Sequence, residues 1–298
     1  MIIIHVMGGL GNQLYQYALY EKMKFLGKEV KLDLFAYKGA QGEEREWRAL
    51  ELEWLDALEY EICTEEERRL FLDNSMRFTD RLRRKLTGRR ERTVRETAIY
   101  MPEIFSMDNV YLYGFWGCER YYIDIIPLLQ EKIRFPKSVN PRNLQTINAM
   151  RQENAVSIHI RRDDYLTVAD GKRYMGICTE AYYNSAIDYI SERVENPIFY
   201  IFSDDTAYAR SIYDKENMCV VDWNTGRDSL HDMELMSCCK HNICANSTFS
   251  MWGARLNQNP KKMMIRPLHH DNYETTDAKT VHQNWPRWIL IDAAGVVC

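Results

Sequence analysis

The second half of the chain alternates short apolar runs with longer stretches of helical periodicity. The apolar runs are long enough for buried strands and read AVSIHI, PIFYIFS, MCVVD, HNICA and KKMMIRP. Apolar strands separated by helices predict a parallel sheet that is covered on both faces. Because crossovers between parallel strands are right-handed, these units predict a Rossmann-like domain over residues 140–267.

The N-terminal part repeats this arrangement less regularly. We expect a buried strand and glycine turn in MIIIHVMGG, a helix closed by Gly27 in NQLYQYALYEKMKFLG, and a second strand in KEVKLDLFAY. VYLYGFWGCERYY again has the pattern of a strand followed by a glycine turn. These elements predict a second Rossmann-like domain over residues 1–139, with a polar, helical insert at about 39–100.

Turn residues separate the two predicted domains, and an amphipathic stretch follows the second one. PKSVNP, residues 136–141, has the composition of a linker. VHQNWPRWILID has the pattern of an amphipathic helix, so we expect residues 268–298 to pack back on the first domain. The predicted fold class is α/β, with two Rossmann-like domains.

Composition narrows the functional classes. The chain has 298 residues, of which 28% are charged, and a net charge of −4. This balance argues against a nucleic-acid binder, whose domains are usually strongly basic. The sequence shows neither a signal peptide nor an apolar run of the ~20 residues that a membrane span needs, so we expect a cytoplasmic protein with reduced cysteines. The basic run Arg81–Arg95 predicts a solvated face and leaves open a peripheral contact with the inner face of a membrane.

A dense group of charges follows the strand AVSIHI, in the stretch HIRRDD. Ligands of open α/β sheets bind beyond the carboxyl ends of the strands, where these side chains should lie. Arg161 and Arg162 can offer guanidinium forks to phosphate oxygens, which lysine cannot reproduce. The alternative is a surface Arg–Asp pair of little energetic worth, but such pairs belong on helix faces. The stretch therefore favours a phosphate site.

Two further junctions between a strand and a helix carry polar groups. In FSDD, Asp204 or Asp205 could accept from the N1–H and N2–H groups of a guanine, or could cap the following helix, which the sequence alone favours. In ANSTFSMWGA, Ser247, Thr248 and Ser250 provide hydroxyl groups that suit a phosphate or a ribose.

The glycine turn MGGLGNQ admits two interpretations. Its backbone amides can approach an anion at the start of the following helix. It also resembles the dinucleotide fingerprint, since Gly9 and Gly11 match and Asp33 lies where a ribose-binding acid would, although Leu14 occupies the third glycine position. A nicotinamide-dependent oxidoreductase therefore remains an alternative, but it leaves HIRRDD unexplained.

No metal site is predicted. The stretch CCKHNIC contains Cys238, Cys239, His241 and Cys244, but it spans a helix end and a buried strand, so core thiols are expected. The chain contains no Asp-x-Asp motif of the kind that holds a nucleotide through a divalent metal. A bound diphosphate would then be neutralised by arginines and helix dipoles.

Four motifs occur together and in order: GGLGNQLYQYA, HIRRDDY, FSDD and HDMELMSCCKHNICANSTFSMWGA. In this combination the chain resembles the α-1,2-fucosyltransferases of glycosyltransferase family 11, from Met1 to about Arg266 and least clearly over residues 39–100. The resemblance implies the GT-B architecture, in which two Rossmann-like domains face each other across a cleft. It also implies inverting, metal-independent transfer from GDP-β-L-fucose to the 2-hydroxyl of a galactose-containing oligosaccharide, with no cofactor, in bacterial surface-polysaccharide (O-antigen) synthesis. Fucosyltransferases of the protein O-linked or α-1,6 type share the arginine motif and remain alternatives.

The resemblance also implies roles for individual residues. The family motif H-x-R-R-x-D maps onto His159, Arg161, Arg162 and Asp164. Arg161 would hold the β-phosphate of the leaving GDP. Arg162 and Asp164 would support the site or reach the acceptor.

The remaining roles concern the guanine, the phosphates and the acceptor proton. His159 and either Asp204 or Asp205 would contact the guanine. The phosphates would be contacted by Ser247, Thr248 and Ser250. The donor would be faced from the first domain by Gly9 and Asn12. The general base is left open between Asp164, Asp163 and Asp33.

Overall fold

The computed structural model describes residues 1–38, 48–162, 171–213 and 215–298. The chain divides into two compact units, Met1–Lys132 and Ile133–Cys298. Each unit contains one parallel sheet with helices packed on it, so the predicted α/β fold class is confirmed. The division falls before the predicted linker, and Pro141 of that linker is the first residue of a helix.

The first unit has a four-stranded parallel sheet of order β2-β1-β4-β3. Its strands are β1 (Ile2–His5), β2 (Val30–Asp33), β3 (Thr93–Arg95) and β4 (Val110–Tyr113). Ile3 of the central strand β1 is fully buried and packs with Phe71 and Tyr111. Strand β3 lies within the predicted helical insert, where its three half-exposed or exposed residues give no apolar run to detect.

The helices of the first unit are α1 (Leu10–Phe25), α2 (Phe35–Lys38), α3 (Glu65–Leu72), α4 (Phe78–Thr87) and α5 (Ile126–Lys132). Short 3-10 turns cover Glu51–Trp54, Pro102–Ser106, Glu119–Tyr121 and Ile123–Ile125. Helix α1 ends as predicted at Gly27, which has φ +73° and lets the amide of Lys28 donate to the carbonyl of Met23 at 3.0 Å. The predicted second strand is shorter than KEVKLDLFAY, because the carboxylate of Asp33 accepts from the amide of Phe35 at 2.9 Å and turns the chain into α2.

The second unit has a six-stranded parallel sheet of order β10-β9-β8-β5-β6-β7. Its strands are β5 (Asn154–Ile160), β6 (Pro197–Ser203), β7 (Met218–Val221), β8 (His241–Ile243), β9 (Met264–Pro267) and β10 (Trp288–Ile291). The chain moves outward from β5 to β7 and then returns to β8 on the other side of β5. The order of the strands therefore reverses between β5 and β8, which is where doubly wound sheets bind their ligands.

Helices cover both faces of this second sheet. They are α6 (Pro141–Gln152), α7 (Gly171–Tyr174), α8 (Glu180–Ser191), α9 (Thr206–Ile212), α10 (Leu230–Cys238), α11 (Thr248–Leu256) and α12 (Ala278–Asn284), with a 3-10 turn at Gly226–Ser229. Successive residues of β5 point to opposite faces. Val156 packs with Tyr182 of α8, whereas Ala155 packs with Met150 of α6.

The end of the chain corrects one prediction. Within residues 268–298, all of which the structure describes, only 278–284 are helical, and the apolar run Trp288–Ile291 forms β10, parallel to β9. The predicted helix over VHQNWPRWILID is wrong because Pro286 interrupts its period and the run that follows is buried as a strand. Residues 268–298, which we expected to pack back on the first domain, belong to the second unit.

Within the described residues, every helix is either too short or too polar to cross a membrane.

The turn after β10 depends on Gly295. Its φ is +83°, and a Cβ added there would lie 2.8 Å from the carbonyl oxygen of Ala181 in α8. Gly27 has a similar φ of +73°, but a Cβ there would meet nothing within 4 Å.

Substitution of these two glycines separates backbone strain from steric contact. Gly27→Ala should lower the free energy of unfolding by about 1 kcal/mol, because only the left-handed conformation is strained. Gly295→Ala should lower it by roughly 1–3 kcal/mol more, since the new methyl group also meets backbone that cannot rotate away. Urea denaturation of both variants measures the difference, and equal losses would contradict the close contact.

Candidate active site

The carboxyl ends of β5 and β6 bring two arginines and two aspartates together. These strands pair in register, with His159 opposite Phe202 and Ile160 opposite Ser203. The next two residues of each strand end therefore meet. Arg161 Nε lies 3.1 Å from Asp204 Oδ2, and Arg162 Nε lies 3.2 Å from Asp205 Oδ2. We call these four residues the arginine–aspartate quartet.

Each aspartate of the quartet also accepts a hydrogen bond from a backbone amide. Asp204 Oδ1 accepts from the backbone amide of Arg162 at 2.8 Å. Asp205 Oδ1 accepts from the amide of Tyr208 at 2.9 Å, so the predicted helix cap is confirmed at Asp205. The Arg162 guanidinium also lies over the ring of Tyr208, 3.6 Å from its centroid. The arginines are thus held by the aspartates of the neighbouring strand, a pairing that only the register of β5 with β6 reveals.

His159 lies near the carboxyl end of β5 and is only 5% exposed. Its Nδ1 is buried and has no hydrogen-bond partner among the described residues. Burial, together with the nearby charge of Arg161, lowers the pKa of this imidazole to about 3. Its ring centroid lies 6.0 Å from that of Phe249 in α11. His159 is therefore a neutral group with a nitrogen available for a hydrogen bond.

Helix α11 begins soon after β8, on the other side of the strand reversal. Ser247 is its N-cap residue and, like Thr248, is half-buried. Ser250 is 1% exposed, and its hydroxyl donates to the carbonyl of Ser247 at 3.1 Å. Ser247 and Thr248 can therefore contact a ligand at the helix N-terminus, whereas the hydroxyl of Ser250 donates to the chain itself.

Asp232 of α10 is a carboxylate that the sequence does not single out. Asn224, which follows β7, donates to Asp232 Oδ1 at 2.8 Å and is itself paired with Asn143 of α6 at 2.9 Å. Burial raises the pKa of Asp232 to about 7, and the hydrogen bond from Asn224 only partly opposes this rise. The sequence gives no clear signal for it, because Asp232 shares the stretch LHDMELM with His231 and a second acid, Glu234.

The glycine turn of the first unit lies at the start of α1. Gly8 has φ +80°, and a Cβ there would lie 2.6 Å from Nδ2 of Asn12, so the Asn12 side chain packs against the turn. Gly9 is the N-cap residue, and the next amide, that of Leu10, donates to a carboxylate oxygen of Glu51 at 2.8 Å. One amide that we expected for a bound anion is therefore already used by the chain's own carboxylate.

Asp33 is fully buried at the carboxyl end of β2. Burial alone would raise its pKa, but hydrogen bonds from His5, Tyr111 and the Phe35 amide, with the charge of Arg68, lower it. Arg68 Nε lies 2.8 Å from Asp33 Oδ2. Asp33 is therefore an ionised carboxylate that already accepts hydrogen bonds and an ion pair from the chain. It suits neither of the roles predicted for it, which were a ribose ligand and a general base. Leu14, at the third fingerprint position, is buried in the core.

The structure therefore gathers most of the predicted site at one edge of one sheet. His159, Arg161, Arg162, Asp204 and Asp205 lie at the ends of β5 and β6, and Ser247 and Thr248 follow β8, which borders β5 on the other side. Gly9 and Asn12 belong to the other unit. Asp163 and Asp164 lie outside the described residues. Within the described residues, no three His, Cys, Asp or Glu side chains cluster as a metal site would require.

This edge offers guanidinium groups held in fixed positions, a neutral imidazole, hydroxyls and the amides of a helix N-terminus. Such donors can bind phosphate oxygens. The neutral imidazole can hydrogen-bond an uncharged ring. The carboxylate of Asp232, which Asn224 contacts just after β7, can accept from N–H groups of such a ring.

The raised pKa of Asp232 predicts a stability that depends on pH. Its pKa is about 7 in the folded protein against an ordinary 3.8, so its stabilising contribution is complete below pH 3.8 and is lost as pH rises through 7. Asp232→Asn, which cannot ionise, should therefore raise the free energy of unfolding at pH 8 by roughly 1–3 kcal/mol, and by less at pH 5.

Denaturation of the two proteins at both pH values measures this effect. The matched control is Asp228→Asn, which alters an exposed aspartate near the start of the same helix and should give no gain that grows with pH. A gain for Asp232→Asn that is equal at both pH values would contradict the raised pKa.

Comparisons with known proteins identify the family. A solved structure of a mutant of Arabidopsis thaliana FUT1 in complex with GDP aligns with 90% of this chain and 71% of its own, at 9% identity and a TM-score of 0.46. A galactoside 2-alpha-L-fucosyltransferase, SEC1 of Bos taurus, is 30% identical over 112 residues, or 37% of this chain and 30% of that protein. An alpha-1,2-colitosyltransferase of Escherichia coli is 31% identical over 98% of this chain and 99% of its own. Residues 85–291 match the family model for glycosyl transferase family 11. Because that model spans more than half of the chain and the E. coli relative matches nearly all of it, the chain is a glycosyltransferase and belongs to glycosyl transferase family 11.

Proposed function

We propose that this glycosyltransferase moves L-fucose from GDP-β-L-fucose to the 2-hydroxyl of a galactose-type acceptor, with inversion and without a metal, in bacterial surface-polysaccharide synthesis. Family membership excludes the nicotinamide oxidoreductase that the glycine turn had left open. The observation that carries the proposal is the arginine–aspartate quartet, which lies beside the strand reversal where a diphosphate would bind. The names of the E. coli and bovine relatives support the α-1,2 linkage and the galactoside acceptor.

Arg161 is the residue that we assign to the leaving group. As the bond from the anomeric carbon to the diphosphate breaks, negative charge grows on the β-phosphate while the sugar becomes positively charged. A guanidinium fixed by Asp204 needs no reorganisation to meet that charge, so it stabilises the transition state more than the ground state. Arg162, held between Asp205 and Tyr208, would fix the edge of the site or reach the acceptor.

The guanine needs a carboxylate that can accept from N1–H and N2–H of the base. Both oxygens of Asp205 already accept hydrogen bonds within the chain, so this carboxylate would be that of Asp204, as the sequence predicts, or that of Asp232. The buried Nδ1 of His159 would make a further hydrogen bond to the nucleotide. Ser247 and Thr248 would contact the phosphates at the start of α11.

For the acceptor side of the site, we keep the residue roles that the sequence predicts. Asp164 or Asp163 would take the proton of the acceptor hydroxyl, because Asp33 is committed to its buried ion pair with Arg68. Gly9 and Asn12 would face the donor from the first unit. Ser250 would act by holding the first turn of α11 rather than by touching a phosphate.

The first test measures GDP release from GDP-fucose in the presence of EDTA, against a panel of β-galactosides. Arg161→Ala should lower kcat by roughly 10²–10³, the loss typical of one removed oxyanion donor. Arg161→Lys should not restore activity, because a point charge replaces a planar fork. Arg193→Ala, which removes an exposed arginine from the end of α8, is the matched control and should retain full activity.

The outcomes of this test are distinct. Acceptor-dependent turnover that survives EDTA and fails in Arg161→Ala supports the donor, the metal independence and the role of the arginine. Turnover at another hydroxyl, found by linkage analysis, would overturn the α-1,2 assignment and favour the O-linked or α-1,6 alternatives. Normal kcat in a folded Arg161→Ala protein would contradict the leaving-group role.

The E. coli relative makes colitose the second candidate sugar. Colitose is L-fucose without its 3-hydroxyl, so the two donors differ by one hydrogen-bonding group. A site that hydrogen-bonds the 3-hydroxyl should reject the deoxy donor by up to about 10⁴–10⁵, whereas a site that only leaves room for it should discriminate far less. The ratio of kcat/KM for GDP-fucose and GDP-colitose therefore decides between them.

The role of Asp232 predicts how nucleotide affinity depends on base and pH. Ionised Asp232 can accept from both N–H groups of guanine, so GDP should bind more tightly as pH rises through about 7. Asp232→Asn should weaken GDP binding about ten- to a hundredfold, because an amide cannot satisfy both donors. It should also abolish the preference for GDP over IDP, which lacks the 2-amino group. Calorimetry with both nucleotides measures these effects, and an unchanged GDP/IDP ratio would remove Asp232 from base recognition.

A further inference from the structure

Helix α4, Phe78–Thr87, is attached to the first unit by charged side chains. Arg83 contacts the carboxylate of Asp73, and Arg84 donates to the backbone carbonyl of Asp73 at 3.1 Å. Asp73 is buried and also accepts from the amide of Arg90 at 2.7 Å. A hydrogen bond from the Arg90 amide lowers the pKa of Asp73, and Arg83 and Arg84 lower it further. Burial acts in the opposite direction but does not cancel this effect. The polar side of the helix therefore faces the protein.

The apolar side of α4 faces the solvent. Phe78, Leu82 and Leu86 recur every four residues and so lie along one face of the helix. They are 77%, 47% and 75% exposed, and Met76, just before the helix, is 77% exposed. A surface helix of a globular protein normally buries such a stripe and exposes its charges. Helix α4 shows the reverse orientation.

Positive charge surrounds this exposed stripe. Residues 76–92 contain eight basic and two acidic side chains, a net charge of +6 in a chain whose total is −4. Arg81 and Lys85 are exposed and flank the stripe at helical spacing. The surface consequently combines apolar groups that can insert into a bilayer with cations beside them.

We propose that α4 docks on the surface of an anionic lipid bilayer. Phe78, Leu82 and Leu86 enter the boundary between headgroups and acyl chains, and Arg81 and Lys85 meet the lipid phosphates. A basic helix with an apolar face of Phe and Leu is the arrangement that binds such interfaces. The proposal does not depend on the donor or acceptor proposed above.

Two other occupants fit the surface less well. A second copy of the chain in a two-fold dimer would bring together two copies of the basic segment 76–92, each with a net charge of +6, which is unfavourable. A nucleic acid would use the cations but leave the apolar stripe in water. Beside α4 lies a cavity of about 630 Å³, lined by five arginines and four acidic side chains. That near balance of charge favours an extended lipid surface over a single bound phosphate.

The test is co-sedimentation of the full chain with lipid vesicles. Vesicles of phosphatidylcholine alone are compared with vesicles that contain about one third phosphatidylglycerol. The wild-type protein should bind the anionic vesicles and bind the neutral ones at least tenfold more weakly. High salt should weaken the binding, since it screens the attraction between the cations and the lipid phosphates.

Three exposed side chains are then removed from the stripe. Phe78→Ser/Leu82→Ser/Leu86→Ser should lower the partition coefficient roughly tenfold or more, because no apolar group then enters the bilayer. The matched control is Phe25→Ser/Leu144→Ser/Ile212→Ser, which removes three exposed apolar side chains elsewhere. It should bind as the wild type does. Circular dichroism checks that both variants are folded.

A second variant isolates the charges. Arg81→Gln/Lys85→Gln should reduce the preference for anionic vesicles, with Arg193→Gln/Lys261→Gln as the control that removes two exposed cations elsewhere. The proposal is overturned if the wild type ignores vesicles of both compositions, or if the stripe variant binds as well as the wild type. It is also overturned if ultracentrifugation shows a dimer that the stripe variant abolishes, because a second copy then occupies the face.

Discussion

The pairing of β5 with β6 is the constraint on which the site depends. Their parallel register sets Arg161 against Asp204 and Arg162 against Asp205, so two ion pairs form where both strands end. A shift of one residue would turn alternate side chains to the opposite face of the sheet. The same shift would separate the arginines from their carboxylates. The apolar residues that bury these strands on both faces therefore also fix the chemistry at their ends.

Carboxylates organise the first unit in a comparable way. Asp33 collects hydrogen bonds at the carboxyl edge of the small sheet, and Asp73 joins the end of α3 to α4 and to the strand region beyond it. Glu51 occupies the first amide of α1. Each carboxylate satisfies donors that short, polar elements could not satisfy by secondary structure alone. These hydrogen bonds and ion pairs therefore stabilise a part of the first unit that has few apolar runs.

The parts of the fold that sequence can predict are those whose burial leaves a continuous apolar run. The strands β5 to β9 are of this kind, and α1 carries its stop signal in Gly27. Strand β3 is short and half-exposed, and β10 closely follows a helix, so neither is evident from the sequence. In the site, HIRRDD and FSDD are visible as charges placed after strands. The partners of those charges are not, because pairing across strands depends on register. Asp232 does not stand out because its pKa depends on burial, which the sequence does not show.

The quartet has a consequence for how an anion would reach this edge of the sheet. Two guanidinium groups are balanced by two carboxylates, and His159 is neutral at physiological pH, so these five side chains together carry no net charge. They therefore exert little long-range attraction on an approaching anion, and electrostatic steering from this group is weak. What they offer is orientation, since an aspartate sets the position of each guanidinium group. Capture at this edge would be governed by contact geometry, and its association rate would change little with ionic strength.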